Sequence, residues 1–316
     1  MIVTVTLNAA LDRTLTVPNF LQGHRHRASQ GVTLAGGKGI NVARALKRLD
    51  VPVVATGLAG GRTGTRIVEE LTAEAILNDF VRIADESRTS TAVVDPTSSS
   101  FTEINEWGPH VEPEELEMLR EKLRYLARGA EAVVFAGSLP RGVAPSFYAD
   151  AIRELNRMGV RTVLDTDGEP LRLGLEAEPA LVAPNQHEAE ALVDQELEDE
   201  DFLMALDAIA DLGARTVLIT RESGCYGLTR EERPVQRFHA SAPTVEPVSV
   251  AGAGDVLTAA FLATRLAGRP FADSLRYAVA AASASTLEVG AGRFEPREAG
   301  RLSAQVEVGA LEPVES

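Results

Sequence analysis

Short apolar runs rich in β-branched residues recur along the chain: "IVTVTL" (2–7), "VPVVATGLA" (51–59), "EAVVFAG" (131–137), "VRTVLDT" (160–166), "PALVAPN" (179–185) and "ARTVLIT" (214–220). They are continuous rather than alternating, the pattern of strands covered on both faces of a parallel sheet. Between them the apolar positions move to helical spacing, which predicts helices over 39–49, 62–75, 112–127, 145–157, 186–193 and 200–212. This alternation predicts a doubly wound, mostly parallel α/β sheet flanked by helices. The last third reads as helical, with "GDVLTAAFLATRLAG" and "FADSLRYAVAAASASTLEVG" as two alanine-rich amphipathic segments.

Two stretches break the alternation. Residues 8–35 and 86–106 contain "RTLTVPNF", "GVTLAGG", "STAVVDP" and "SSFTEINE", half-polar strands with no helix between them. Their placement predicts a small sheet projecting from the main layer, able to cover a ligand or to pair with a second subunit. The expected organisation is one domain over 1–316, with its lid built from about 8–35 and 86–106. The acidic tail from 303 onward is expected to fray.

Composition narrows the function classes. With 316 residues, 45% hydrophobic and 24% charged, the chain is ordinary globular material with ample core. No apolar run approaches the roughly 20 residues of a membrane helix, and "MIVTVTLNAALDR" lacks the layout of a signal peptide. Cys225 stands alone, which excludes internal disulfides and cysteine-based zinc sites. A cytoplasmic location is therefore expected. The net charge of −15, from 46 acidic and 31 basic residues, argues against nucleic acid or anionic membrane as partners. An anionic substrate then needs a local basic pocket. Lysine occurs only at Lys38, Lys47 and Lys122, so Lys38 is an unusual choice in an arginine-rich chain.

Lys38 sits in "AGGKGINVARAL" (35–46), where Gly36, Gly37 and Gly39 open a helix. Free amides and the helix dipole favour an anion there, and Lys38 adds a full charge. The mononucleotide P-loop fails because Gly39 follows Lys38, and the dinucleotide fingerprint fails at Val42 and Leu257. A tight turn before a packed helix explains the glycine pair equally well. "AGAGDVLTAAFL" repeats the architecture with the charge reversed: Gly252, Ala253 and Gly254 let amides approach a ligand, and Asp255 follows in the first turn. Asp255 reads either as a helix cap or as a base taking a proton from an attacking hydroxyl while the amides stabilise a phosphoryl group. A cap alone does not require three consecutive small residues. In "APNQHEAEAL" (183–192), Asn185 and Glu188 share a helix face and could hold water-coordinated magnesium, or could simply form a capping box.

Together "GGKG", the Asn-x-x-Glu at 185–188 and "GAGD" at 252–255 resemble, in order and spacing, the phosphofructokinase B family of ribokinase-like carbohydrate kinases. The resemblance covers most of the chain. "TVTLNAALDRT", "SRTSTAV", "TEINEWGP", "GSLPRGV" and "DTDGEPL" are similar to its branch of 1-phosphofructokinases and tagatose-6-phosphate kinases. It implies a Rossmann-like domain with a β-sheet lid, ATP and Mg2+ as cofactors, and a homodimer formed through the lids. By this resemblance Asp12, Gly36, Gly37 and Asn41 line the sugar site, and Lys38 and Arg88 are candidates for the phosphate already on the substrate. Asp255 would be the base and Gly252 to Gly254 the anion hole. Asn185, Glu188, Thr220 and Gly224 would flank the nucleotide, the first two reaching the metal through water. Four departures are visible: Ala9 for the usual proline, Ala183 for a lysine before Pro-Asn, valine at Val250 and Val256 where hydroxyls are common, and a shorter loop at 221–224.

The leading expectation is conversion of fructose 1-phosphate to fructose 1,6-bisphosphate with ATP. Tagatose-6-phosphate kinase or 6-phosphofructokinase activity is the neighbouring reading. An inactive sensor of sugar or nucleotide is the rival from another class, motivated by Ala183 and Val250 and opposed by the intact Asp255, Asn185 and Glu188.

Overall fold

The computed structural model describes residues 1–98 and 100–312. Ser99, inside the expected lid, and 313–316, in the expected frayed tail, lie outside the described residues. In chain order the strands are β1 (Ile2–Thr6), β2 (Ala10–Thr16), β3 (Gln30–Gly36), β4 (Val53–Gly60), β5 (Leu77–Ile83), β6 (Arg88–Asp95) and β7 (Ser100–Asn105). There follow β8 (Ala132–Ala136), β9 (Arg161–Asp165), β10 (Leu181–Val182), β11 (Thr216–Arg221), β12 (Gly224–Thr229), β13 (Gln236–Ser241) and β14 (Val308–Ala310). The helices are α1 (Lys38–Arg48), α2 (Gly61–Ala73), α3 (Pro113–Ala127), α4 (Phe147–Arg157) and α5 (Gly168–Leu175). The remainder are α6 (Gln186–Val193), α7 (Phe202–Asp211), α8 (Ala253–Leu266), α9 (Phe271–Ser285) and α10 (Pro296–Ser303).

Ten strands form one sheet in the order β14-β13-β12-β11-β10-β9-β8-β1-β4-β5, parallel from β11 through to β5 and antiparallel from β12 to β14. Both faces are covered, as the continuous apolar runs require. Along β1, Ile2 joins the core beneath α1, α8 and α9, whereas Val3 and Val5 join the core on the opposite face with α3, α4 and α7. β1 lies between β4 and β8, so successive crossovers leave it in opposite directions. A doubly wound sheet opens a crevice at the carboxyl ends of such strands, and ligands bind there.

The second sheet has the order β3-β2-β6-β7. Its outer pairs are antiparallel, but β2 and β6 run parallel, because the chain returns to the main sheet between them. This sheet is joined to the main one where β1 runs into β2 and where β3 ends at the start of α1. The segment 8–35 thus holds two strands and a connecting loop, and 86–106 holds the other two.

Several elements depart from the sequence reading. β5 follows α2 with the alternating sequence "LNDFVRI", half exposed as the outer strand of the sheet, and lacks the continuous apolar signature. "PALVAPN" supplies only a two-residue strand, because Pro184 removes a donor. The last third is not wholly helical, since β12 and β13 form a meander with β11; the short α5, in the middle of the chain, and α10, near its end, are additional helices. The tail is not frayed as far as 312. Val306 is buried and β14 pairs with β13 over Phe238–Ala240, protecting the sheet's edge.

That contact generates a prediction. Ending the chain at Ala304 removes the burial of Val306, about 1.5–3 kcal/mol, and bares β13. Differential scanning calorimetry should show a lower melting temperature, and light scattering a stronger dependence of particle size on concentration. An unchanged melting temperature would show that 305–316 adds nothing to the fold.

Candidate active site

Helix α8 begins at Ala253, with Gly252 as its N-cap in the left-handed region at φ 77°. A side chain at Gly252 would have its Cβ 2.7 Å from the Cβ of Ala291, so the tight approach of the 290–292 turn demands glycine. A Cβ at Gly254 would meet nothing within 4 Å, because that face opens into a cavity. The first-turn amides of a helix have no intrahelical acceptor; here the Ala253 amide donates to the Val250 carbonyl at 3.3 Å, while Gly254 and Asp255, with no such bond, border the cavity. Asp255 does not cap this helix. Its Oδ2 instead accepts a hydrogen bond from Asn41 Nδ2 on α1, at 2.8 Å.

The Asp255 side chain is buried, and its pKa is pushed up to about 7. Burial is the main cause, and the nearby Asp165 charge adds to it; Lys38 and the Asn41 hydrogen bond oppose it. A carboxyl poised near neutrality, beside unused amides, can accept a proton at the moment negative charge develops nearby.

Lys38 lies at the first residue of α1. Its Nζ donates to Asp165 Oδ1 at 2.7 Å and stands 3.7 Å from Glu188 Oε1. Burial works against the ammonium, but Asp165, Asp255 and Glu188 more than offset it and push its pKa up. Asp165 ends β9 and is buried. It was legible only as part of "DTDGEPL", without a role, because nothing local announces that it meets Lys38 across 127 positions.

On the opposite wall, Asp12 projects from β2 with its pKa pushed up to about 6, chiefly by burial. Arg88, Arg44 and the Gly37 amide hold it down, while Glu103 raises it further. Gly36 does not border the cavity; it makes room for that carboxylate, since a Cβ there would stand 1.9 Å from Asp12 Oδ2. Gly37, at φ 106°, turns the chain from β3 into α1. Arg88 Nη1 donates to Asn105 Oδ1 at 3.1 Å, and its Nε donates to the Asn8 carbonyl at 3.3 Å.

Asn185 and Glu188 form the capping box of α6: Asn185 Oδ1 accepts from the Glu188 amide at 2.9 Å, and Glu188 Oε2 accepts from the Asn185 amide at 2.8 Å. Glu188 Oε1 remains turned toward Lys38, and burial raises the Glu188 pKa. Thr220, at the end of β11, bridges to Asn185. Gly224 is elsewhere. It starts β12 after the tight turn at 222–223, and a Cβ there would stand 2.1 Å from the Ala240 carbonyl oxygen. Strand packing accounts for it.

Asp12, Gly37, Lys38, Asn41, Arg88, Asn185, Glu188, Thr220, Gly252, Ala253, Gly254 and Asp255 therefore border one cavity of about 780 Å3. That volume lies in the range of small-molecule and cofactor sites. Sequence reasoning missed Asn8, Ser138, Arg141, Asp167 and Trp107 on its walls. Asn8 Oδ1 is buried without a partner, while its Nδ2 donates to Ser138 Oγ at 3.1 Å. Trp107, the sole tryptophan, is 89% exposed. The lining carries Lys38, Arg88 and Arg141 against seven acids: Asp12, Glu103, Glu106, Asp165, Asp167, Glu188 and Asp255.

Two outcomes follow from this geometry. Because burial raises the folded-state pKa of Asp255 toward 7, its protonated form contributes stability fully present below about pH 4 and lost as pH rises through about 7. Asp255→Asn should therefore melt higher than the parent at pH 8, with the gap closing toward pH 5; equal gaps at both values would place the ionised carboxylate in a comfortable environment. Separately, sugar phosphate entering the cavity should shift Trp107 emission to shorter wavelength. An unchanged spectrum at ligand concentrations that saturate binding by calorimetry would remove Trp107 from the site.

Comparison with known proteins gives the family. The model of the pfkB family carbohydrate kinases matches residues 3–298. A 1-phosphofructokinase from Borreliella burgdorferi is 32% identical over 289 residues, covering 91% of this chain and 92% of that one. A tagatose-6-phosphate kinase from Staphylococcus epidermidis is 28% identical, over 98% of this chain and 99% of its own. The crystal structure of phosphofructokinase-2 from Escherichia coli, in complex with substrates and products, superposes with a TM-score of 0.89 at 29% identity, covering 96% and 98% of the two chains. The chain belongs to the pfkB family of carbohydrate kinases.

Proposed function

We propose that this kinase transfers the γ-phosphoryl group of ATP to fructose 1-phosphate, giving fructose 1,6-bisphosphate and ADP. The observation that carries the reading is the buried Asp255, held by Asn41 rather than by its own helix and next to the open first turn of α8. The oxygen of the C6 hydroxyl attacks the γ-phosphorus, its proton passes to an Asp255 carboxylate oxygen, and the bond to the ADP oxygen breaks. Gly254 and neighbouring amides offset charge on the transferring group. Lys38, between Asp255 and Glu188, bridges the two ends of the cavity. Asp12 and Asn41 receive sugar hydroxyls, and Arg88 pairs with the phosphate already on the sugar. Arg141, also on the wall, is a second cation for that phosphate. The nucleotide lies along Asn185, Glu188 and Thr220.

The donor set fits a hydrated magnesium ion rather than a protein cage. Among the described residues no three His, Cys, Asp or Glu side chains converge at metal-ligand spacing. Glu188 Oε1 is turned to the cavity while the other oxygens of the Asn185–Glu188 pair are used by the cap. The surplus of acids on the walls also requires a cation to accompany a nucleotide polyanion. When bound, Mg2+ neutralises charge on the β- and γ-phosphates.

The whole chain acts as one kinase unit, with β2, β3, β6 and β7 as its lid. β7 is exposed along its length, with Phe101 and Ile104 outward, which supports a homodimer through paired lids. Among the described residues no helix is long and apolar enough to cross a membrane, in keeping with work on small molecules in the cytoplasm. A second reading, tagatose 6-phosphate as acceptor, is supported by the Staphylococcus epidermidis relative.

Initial rates with fructose 1-phosphate, fructose 6-phosphate, tagatose 6-phosphate and free hexoses decide the substrate; fructose 1-phosphate should show the highest kcat/KM. Asp255→Asn should lower kcat by about 10^2–10^4 with little change in KM, the range of a lost general base. Near-parental turnover in that variant would refute the mechanism. Binding of sugar phosphate without ADP release in the parent would identify a sensor instead.

A further inference from the structure

Arg44, on α1, is only 3% exposed, yet it touches none of the space a substrate fills. Its guanidinium is spent entirely on protein partners. Nε and Nη2 donate to the two carboxylate oxygens of Glu74, the C-cap of α2, at 2.6 and 3.1 Å. Nη2 also donates to the Ala35 carbonyl at the lid's base, at 2.7 Å. Nη1 donates to the Ala291 carbonyl at 2.9 Å and to Asn41 Oδ1 at 3.2 Å.

The last bond decides which way the Asn41 amide faces. Arginine has donors only, so the atom of Asn41 turned to it must be the oxygen. The amide nitrogen is then forced toward Asp255 Oδ2, where it donates at 2.8 Å. A reversed amide would set its NH2 against Arg44 and its oxygen against the carboxylate, two repulsions at once. The Ala291 and Ala35 bonds anchor the same guanidinium to the turn that packs on Gly252 and to the strand that enters α1. Asn41 itself is clamped from behind, since Gly292 lies so close that a Cβ there would stand 2.5 Å from its carbonyl oxygen.

We propose that Arg44 is a positioning residue: through the amide of Asn41 it fixes the carboxylate of Asp255, and it ties that carboxylate to the lid base and to the 290–292 turn. This rests on the reading of Asp255 as the base. Arg44 does not border the main cavity and lines only a small void beside it, next to Asp12 and Asn41, so its effect must appear in the chemical step and not in the binding of ATP.

The test is Arg44→Lys, which keeps the charge but loses the planar fork that reaches four groups at once. kcat should fall by between about ten- and a hundred-fold, the effect of a small misplacement of a reacting group, while KM for ATP stays within about two-fold. The acid limb of kcat/KM should move to higher pH, because the Asn41 donor that opposes Asp255's raised pKa is no longer held. The other charges facing Asp255, namely Asp165 on β9, Lys38 on α1 and Asp12 on β2, are unchanged by this substitution. In an Asn41→Ala background, Arg44→Lys should have no further effect on kcat, since the relay is already cut. An equal loss in that background, or a change confined to KM for ATP, would overturn the proposal.

If Arg44→Lys folds poorly, the pair Arg44→Met with Glu74→Met removes the buried charge and its half-buried partner together and serves the same cycle. Glu74→Gln alone is expected to lower the melting temperature while leaving kcat within about two-fold, which separates loss of stability from loss of positioning. A fall in kcat with Glu74→Gln as large as with Arg44→Lys would reduce Arg44 to a structural brace. The two readings fail differently: an active Asp255→Asn enzyme removes the base, whereas an inactive one beside an unaffected Arg44→Lys removes only the relay.

Discussion

A buried carboxylate is an expensive thing to maintain, and the site is arranged around one. Asp255 is shut away from water at the head of α8, beside Asp165 and within the field of Lys38. Left alone in such surroundings it would stay protonated or draw in water. What keeps it usable is a set of partners drawn from the whole chain: Asn41 from α1, Lys38 from the glycine turn, and the free amides of its own helix. Asn41 and Lys38 are both more than 200 positions from Asp255 in sequence. The parallel sheet brings them together, because a doubly wound layer delivers the carboxyl ends of β1, β8, β9 and β11 to a single crevice.

Glycine at the site does two different jobs. At Gly37 and Gly252 the backbone adopts positive φ, so that β3 turns into α1 and α8 starts under the 290–292 turn. At Gly36 the residue is needed for absence of volume, because the Asp12 carboxylate lies where a methyl group would be. Composition cannot separate these cases. Gly224 shows the hazard: it sits in the right stretch for a nucleotide loop, yet strand packing against Ala240 accounts for it.

Much of the fold could be read from residue order. The buried strands β1, β4, β8, β9 and β11 announce themselves because both faces of each are covered, and the helices α2 to α4, α6 and α7 because one face of each is; α1 is buried all round over 39–46. β5, β12 and β13 were not read because their patterns are weaker or sit between stronger ones, and β14 because three paired residues carry no periodic signal. The same division holds at the site. Glycine turns and a lone lysine in an arginine-rich chain are local signals, and they led to Lys38 and Asp255. Asp165, Asn8 and Arg44 meet their partners far along the chain; the stretches holding Asp165, Asn8 and Trp107 resemble the family's, but nothing local gives these residues a role.

The acid-rich lining has a consequence for what happens after phosphoryl transfer. Under the proposed reaction, a bisphosphate would carry more negative charge than the monophosphate that entered, and it would face seven carboxyl-bearing side chains with three cationic ones. Three cations against seven acids would do little to retain such an anion. The walls would then act as an ejector, favouring clearance of product over its storage.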